Sequence, residues 1–208
     1  MKKFTFITLL ITNLFSSSTF NDLKLNDEDF ISISNSSKKD AIFDRINQLL
    51  VLKKSLKDEE DPFVKLDSVN NFFNEYKYIS DRDLYKKEDY WATRKEFIVN
   101  GAGDCEDFVV AKYFTLLELG IEESKLSILH VLLNNQYHLV LGYQEDISSN
   151  ILILDSSNKT ILPLLRRDDL IVLNRLELID LSNKKLALED IKGLSNYKWS
   201  SIYKKSIN

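Results

Sequence analysis

Along the chain the apolar positions change period several times, and each change marks an element. Residues 4–15 are an uncharged, mostly apolar run preceded by Lys2 and Lys3 and followed by Ser16, Ser17 and Ser18. This is the layout of a secretory signal peptide. A run of about twelve residues falls short of the roughly twenty that cross a bilayer, so residues 1–18 read as a cleaved leader and the protein as exported. Residues 19–39 are polar with scattered apolar positions and read as a loosely ordered arm.

From residue 40 the spacing is helical. Ile42, Phe43, Ile46, Leu49 and Leu50 share one face of a helix over residues 40–57, with Asp40 as its expected N-cap. Pro62 then opens a second helix whose stripe is Phe63, Leu66, Val69, Phe72, Phe73 and Tyr76. Thr93 and Glu96 have capping-box spacing ahead of a short helix that Gly101 stops. Residues 108–119 predict a buried helix ended by Gly120, with Cys105 in its first turn. Beyond Gly120 the pattern turns to short β-branched and aromatic runs at residues 126–133, 137–143, 151–155 and about 171–178. Asn134 and Asn135 separate the first two runs. Helices followed by antiparallel strands predict one α+β domain over residues 40–208, with the N-terminal helices packed on the sheet. The tail from residue 183 reads as a short helix and a Lys-rich end.

Composition removes several function classes. With 28 basic and 32 acidic residues interspersed along 208, there is no basic field to hold a phosphate backbone, so nucleic acid is not an expected partner. A single cysteine and two histidines exclude an intramolecular disulfide and a cysteine- or histidine-built metal centre.

The chemistry therefore gathers around Cys105. Gly101 and Gly103 precede it and predict a loop open to close approach, and a helix N-terminus favours a thiolate. The alternative is a small buried hydrophobe. If residues 137–143 and 151–155 form a hairpin centred on the loop 144–149, His138 faces Asp155 directly, on a face shared with Val140, Ile151 and Ile153 and covered by helices. An Asp on such a face needs a partner. A structural His–Asp pair satisfies that need, and so does a triad in which Asp155 orients His138, His138 takes the thiol proton and Cys105 attacks a carbonyl. His130, one strand earlier, has no carboxylate in register and reads as structural.

The stretch DYWATRKEFIVNGAGDCEDFVVAKYFTLLELG at residues 89–120, with KLDSVNNFFN at 65–74, YHLVLGY at 137–143 and ILILD at 151–155, resembles the bacterial transglutaminase-like cysteine peptidases of the LapG type over about residues 40–175. The resemblance implies a papain-like or transglutaminase-like fold and a catalytic Cys105, His138 and Asp155. It also implies calcium (Ca2+) dependence, with Asp104 and Glu106 matching the acids beside the nucleophile; the clustering of three carboxylates at a cysteine calls for a compensating cation and adds Asp107 as a further ligand. N-capping by Asp104, with Glu106 and Asp107 favouring the helix dipole, accounts for the same acids without a metal. Members of that family cut a large repeat adhesin near its N-terminus, typically after paired alanines, release biofilm cells, and are inhibited by an inner-membrane cyclic di-guanylate receptor. Arg94, Leu139 and Ser156 depart from the family pattern, where proline, methionine and asparagine are expected. A catalytically idle binding domain for the receptor or adhesin, and an amide-transferring transglutaminase, are the competing functions.

Overall fold

The computed structural model describes residues 23, 25–177 and 194–207. The expected leader and the start of the tail lie outside the described residues. Within the expected arm, Asp27–Asn35 forms a helix, α1, closed by a capping box in which Asn26 and Asp29 exchange side-chain to backbone bonds of 2.8 and 3.0 Å. Its Ile33 is buried, and Lys95 pairs with Asp29 at 2.6 Å. The scattered apolar residues of this segment are thus a narrow helical face, too sparse to stand out by period.

Helices α2 (Lys39–Ser55) and α3 (Pro62–Phe73) follow. Asp40 lies inside the first turn of α2, whose N-cap is Lys38, whereas Asp61 caps α3 by accepting from the Phe63 N–H. Strand β1 (Lys77–Tyr78) and helix α4 (Asp81–Leu84) lead to α5 (Arg94–Asn100), whose Thr93–Glu96 capping box forms as expected and whose C-cap, Gly101, sits at φ 70°. Strand β2 (Ala102–Gly103) pairs in parallel with β1 and delivers the chain to the central helix α6, Cys105–Glu118. Nearly all of α6 is buried, which is why its sequence carries no clear amphipathic stripe: it packs on α3 and α5 on one side and on the sheet on the other.

The sheet comprises β3 (Leu126–Leu133), β4 (Gln136–Tyr143), β5 (Leu152–Asp155), β6 (Asn158–Pro163) and β7 (Leu170–Glu177), in the order β6-β5-β4-β3-β7, with every neighbour antiparallel. Asn134 and Asn135 both adopt positive φ, 52° and 63°, and make the two-residue turn between β3 and β4. Strand β6 was not expected: Lys159 and Thr160 are exposed on it, and its apolar contribution is small. Leu126, Ile128, Leu139, Leu141 and Leu154 join the helices in the main core, while Leu129, Val131, Val140, Ile153 and Leu170 form a second cluster. The face carrying Val140 and Ile153 is therefore the one away from the helices, contrary to the expectation above. Helix α7 (Leu194–Ile207) buries Trp199 against Trp91, Tyr113 and Phe114.

Candidate active site

Three separate pieces of chain carry the residues expected to act together. Cys105 opens α6, His138 comes from β4, and Asp155 ends β5. Strand β4 pairs with β5 so that Leu141 faces Leu154, which puts His138 two residues away from the directly opposed position predicted from the loop. The cause is the length of the connection: β5 starts only at Leu152, which faces Tyr143, so the connection runs over residues 144–151 and its centre lies one residue beyond that of the loop 144–149. A shift of two keeps every side chain on its face, and the diagonal neighbours still meet, His138 Nε2 to Asp155 Oδ1 at 2.8 Å. With Nε2 donating to the carboxylate, Nδ1 is left as the basic nitrogen.

Asp155 is fully buried. Burial pushes its carboxyl up, but the bond and charge of His138, the Ser157 N–H and the Arg167 guanidinium overcome that and hold it well below the usual carboxylate range. Two asparagines of α3 fix its strand end: Asn74 donates to the Asp155 carbonyl at 2.8 Å, and Asn70 to the Lys159 carbonyl at 3.0 Å. Lys112 of α6, buried and bonded to Asn70 Oδ1 at 2.7 Å, has its ammonium pushed down to about 7 by burial, opposed by the Asp155 charge.

A cleft of about 590 Å³ is lined by Trp91, Cys105, Glu106, His130, Tyr137, His138 and Leu139, with Asp89 and Lys198 of α7 at its edge. Cys105 and His138 thus line one opening, while Asp155 is buried and does not line it. His130 lines it too, its imidazole held below its ordinary value by burial. Gly103 plays a different part from the one expected: a Cβ there would lie 2.4 Å from Asp107 Oδ2 and 2.7 Å from the Phe97 ring, so this glycine admits internal neighbours rather than a ligand. Of the residues that depart from the family pattern, Arg94 is buried in bonds to Thr115 and Glu118 at 3.2 and 2.6 Å, remote from the cleft.

The Cys105 thiol donates to Glu106 Oε2 at 3.1 Å. Burial, then the Glu106 charge and bond, then Asp104, push it far above the ordinary thiol range. Tyr78, within bonding reach of the sulfur and stacked on Phe108, has its phenol raised by burial and by the same charges. The acids themselves are strained in the same sense. Burial and neighbouring carboxylates push Asp104 and Asp107 up to about 8.

Two acidic groupings could hold a cation: Asp81, Asp104 and Asp107, and Asp81, Asp89 and Glu106. The three acids expected from the sequence are accordingly divided between two clusters, and Asp81 is common to both. Asp81 Oδ1 and Asp104 Oδ1 are buried with no hydrogen-bond partner among the described residues, and such oxygens suit a hard cation. Asp81 reaches the site because the β1–β2 ladder lays its segment beside Asp104: Ile79 N–H donates to Gly103 O at 2.9 Å and Asp81 N–H to Asp104 Oδ2 at 3.3 Å. Neither Asp81 nor Asp89 was recognisable beforehand, since both lie outside the glycine–cysteine motif.

The family model of the bacterial transglutaminase-like cysteine proteinases matches residues 46–170. The chain belongs to this family. No curated protein matches it in sequence. Among solved structures it is similar to Legionella pneumophila LapG, with a TM-score of 0.69 at 31% identity over 90% of this chain and 97% of that one. A calcium-bound form of Legionella pneumophila LapG matches at TM-score 0.65 and 35% identity over 79% of this chain and 91% of that one. An EGTA-treated form matches at 0.69 and 30% over 90% and 97%. The transglutaminase-like fold and a cysteine peptidase of the LapG type follow from these likenesses.

Proposed function

We propose that the protein is a calcium-dependent periplasmic cysteine endopeptidase that cuts a large surface adhesin near its N-terminus and so releases biofilm cells, restrained by an inner-membrane receptor for cyclic di-guanylate. The observation that carries the catalytic part is the cleft that both Cys105 and His138 line, with Asp155 bonded to His138 Nε2.

In this reading His138 Nδ1 takes the proton from Cys105 Sγ, and the sulfur attacks the scissile carbonyl carbon. The developing oxyanion lies at the start of α6, where the Cys105 N–H is unpaired within the helix and the dipole is favourable. The imidazolium returns its proton to the leaving amine, and water then hydrolyses the thioester with the same base. Asp155 keeps Nε2–H engaged throughout, so the imidazole stays in the tautomer the reaction requires. Asp81, Asp104 and Asp107, or Asp81, Asp89 and Glu106, would hold calcium, whose positive charge would offset the carboxylates beside the thiol. Among the described residues no helix is long and apolar enough to cross a membrane.

The test is cleavage of synthetic adhesin N-terminal segments containing paired alanines, in calcium and in EGTA, with mass-spectrometric mapping of the new termini. Wild type is expected to cut in calcium only and Cys105→Ala not at all. Retained cleavage by Cys105→Ala, or isopeptide products with added amines in place of hydrolysis, overturns the reading.

A further inference from the structure

The loop between β6 and β7 sends one side chain back to the site. Arg167 lies just after a 3-10 turn, Leu164–Arg166, and its backbone is fixed by bonds from its N–H to Leu164 O and to its own carbonyl from the Leu170 N–H, both 3.0 Å. The residue is 4% exposed. Nη2 donates to Asp155 Oδ2 at 2.8 Å, while Nε and Nη2 donate to the two oxygens of Asp169, each at 2.8 Å.

We propose that Arg167 is a positioning residue for the His138–Asp155 pair: anchored on Asp169, it clamps Oδ2 of Asp155 so that Oδ1 is presented to His138 Nε2. This rests on the protease reading above. A carboxylate has two oxygens and can rotate about its last bond. In Asp155 the rotation is blocked from both sides, since Oδ1 accepts from His138 Nε2 and from the Ser157 N–H at 2.8 Å each, and Oδ2 is taken by the guanidinium. The fork of an arginine suits this task, because it binds two carboxylates in one plane with fixed angles. A fully buried Asp155 with only a neutral imidazole for a partner would be a costly charge, and a buried guanidinium offsets it.

The clamp also sets how much of the Asp155 charge faces His138. Arg167 neutralises part of the charge that would otherwise stabilise the imidazolium, and Asp169, which is half-exposed, draws part of Arg167 away again. Lys112 faces Asp155 from α6, and Cys105, Glu106, His130, Asp89 and Lys198 share the cleft with His138, so these groups form the constant background. The two substitutions then act with opposite signs. Arg167→Met leaves Asp155 fully negative and raises the His138 midpoint by roughly one pH unit. Asp169→Asn leaves the guanidinium wholly to Asp155 and lowers the midpoint.

The experiment is NMR titration of the His138 imidazole in the full chain with calcium present, with His130→Gln to identify the signal, alongside kinetics on the adhesin segment. For Arg167→Met, kcat is expected to fall about a hundredfold with KM unchanged, as for a misplaced rather than missing group, and Arg167→Lys to restore most of the midpoint because it keeps the charge. A role confined to holding the loop would move thermal stability and leave the midpoint alone. If Arg167→Met does not fold, the exposed Asp169→Asn and the charge-conserving Arg167→Lys still decide the matter. A His138 midpoint unmoved in every folded variant overturns the clamp. Should His138→Ala and Asp155→Ala keep cleaving, it is the protease reading that fails; should they be inactive while Arg167→Met matches wild type, only the clamp fails.

Discussion

His138 reaches Asp155 along a diagonal of the β4–β5 ladder, with Nε2 and Oδ1 2.8 Å apart although the residues are two positions out of direct register. Diagonal neighbours in an antiparallel pair lie farther apart than opposed ones, so the contact needs a long side chain on one strand and a fixed carboxylate on the other. Asp155→Asn tests that geometry. An amide at this position can accept from His138 or face Arg167 with an acceptor, but its NH2 then points at a donor. Turnover of the adhesin segment is expected to drop by about ten-thousandfold, the scale seen when a triad base is held in the wrong tautomer, with binding preserved. A variant within tenfold of wild type would mean that Asp155 does not orient the base.

Asp81 belongs to both acidic groupings, whereas Glu88, a few residues on, is exposed and belongs to neither. Calorimetric titration with calcium is expected to show at least roughly tenfold weaker binding for Asp81→Asn. Glu88→Gln should bind as wild type. Equal affinity in all three proteins would remove Asp81 from the metal site.

The metal-free acids also predict a direction for stability against pH. Asp104 and Asp107 sit at about 8 in the folded chain against an ordinary 3.8, so between about pH 4 and pH 8 the native state keeps protons that the unfolded chain has released. Stability then falls as pH rises through that window. In EGTA the melting temperature is expected to decline from pH 5 to pH 8, and calcium to flatten the decline by taking the place of those protons. A melting temperature in EGTA that rises over the same range would contradict the burial of these carboxylates as charged-form costs.

Much of this arrangement was legible because it is local. Asp104, Cys105, Glu106 and Asp107 are adjacent in sequence, the Asn134–Asn135 turn fixes β3 against β4, and alternation alone puts His138 and Asp155 on one face. What escaped depends on loops whose conformation no short-range pattern fixes. The 144–151 connection shifted the register by two, and the parallel β1–β2 ladder, only two residues a side, brought Asp81 to Asp104. Arg167 arrives from beyond β6, a strand whose exposed Lys159 and Thr160 hid its period. Which face of the sheet the helices cover was misjudged for a related reason: apolar residues occupy both faces of β4, so alternation could not choose between them.

Two glycines flanking one alanine separate stability from metal binding. At Gly101, φ of 70° strains any L side chain, and a Cβ would meet the Arg45 guanidinium at 2.9 Å. Arg45 is flexible at that end, although it also caps α5 by donating to the Ile98 and Val99 carbonyls at 2.7 and 2.6 Å. At Gly103 the backbone is unstrained, but the Cβ would enter the space of Asp107 Oδ2 at 2.4 Å and of the Phe97 ring. Asp107 cannot yield without losing its bond from the Ala92 N–H at 2.7 Å and its place beside Asp81 and Asp104. Both Gly101→Ala and Gly103→Ala are therefore expected to lose about 1–3 kcal/mol of stability in EGTA, the first through backbone strain and the second through overpacking. Only Gly103→Ala should also lose the rise in melting temperature on adding calcium, because only there is a cation ligand displaced. Denaturant melts of both variants with and without calcium read the two effects separately, and an undiminished calcium shift in Gly103→Ala would show that Asp107 is not among the groups that hold the ion.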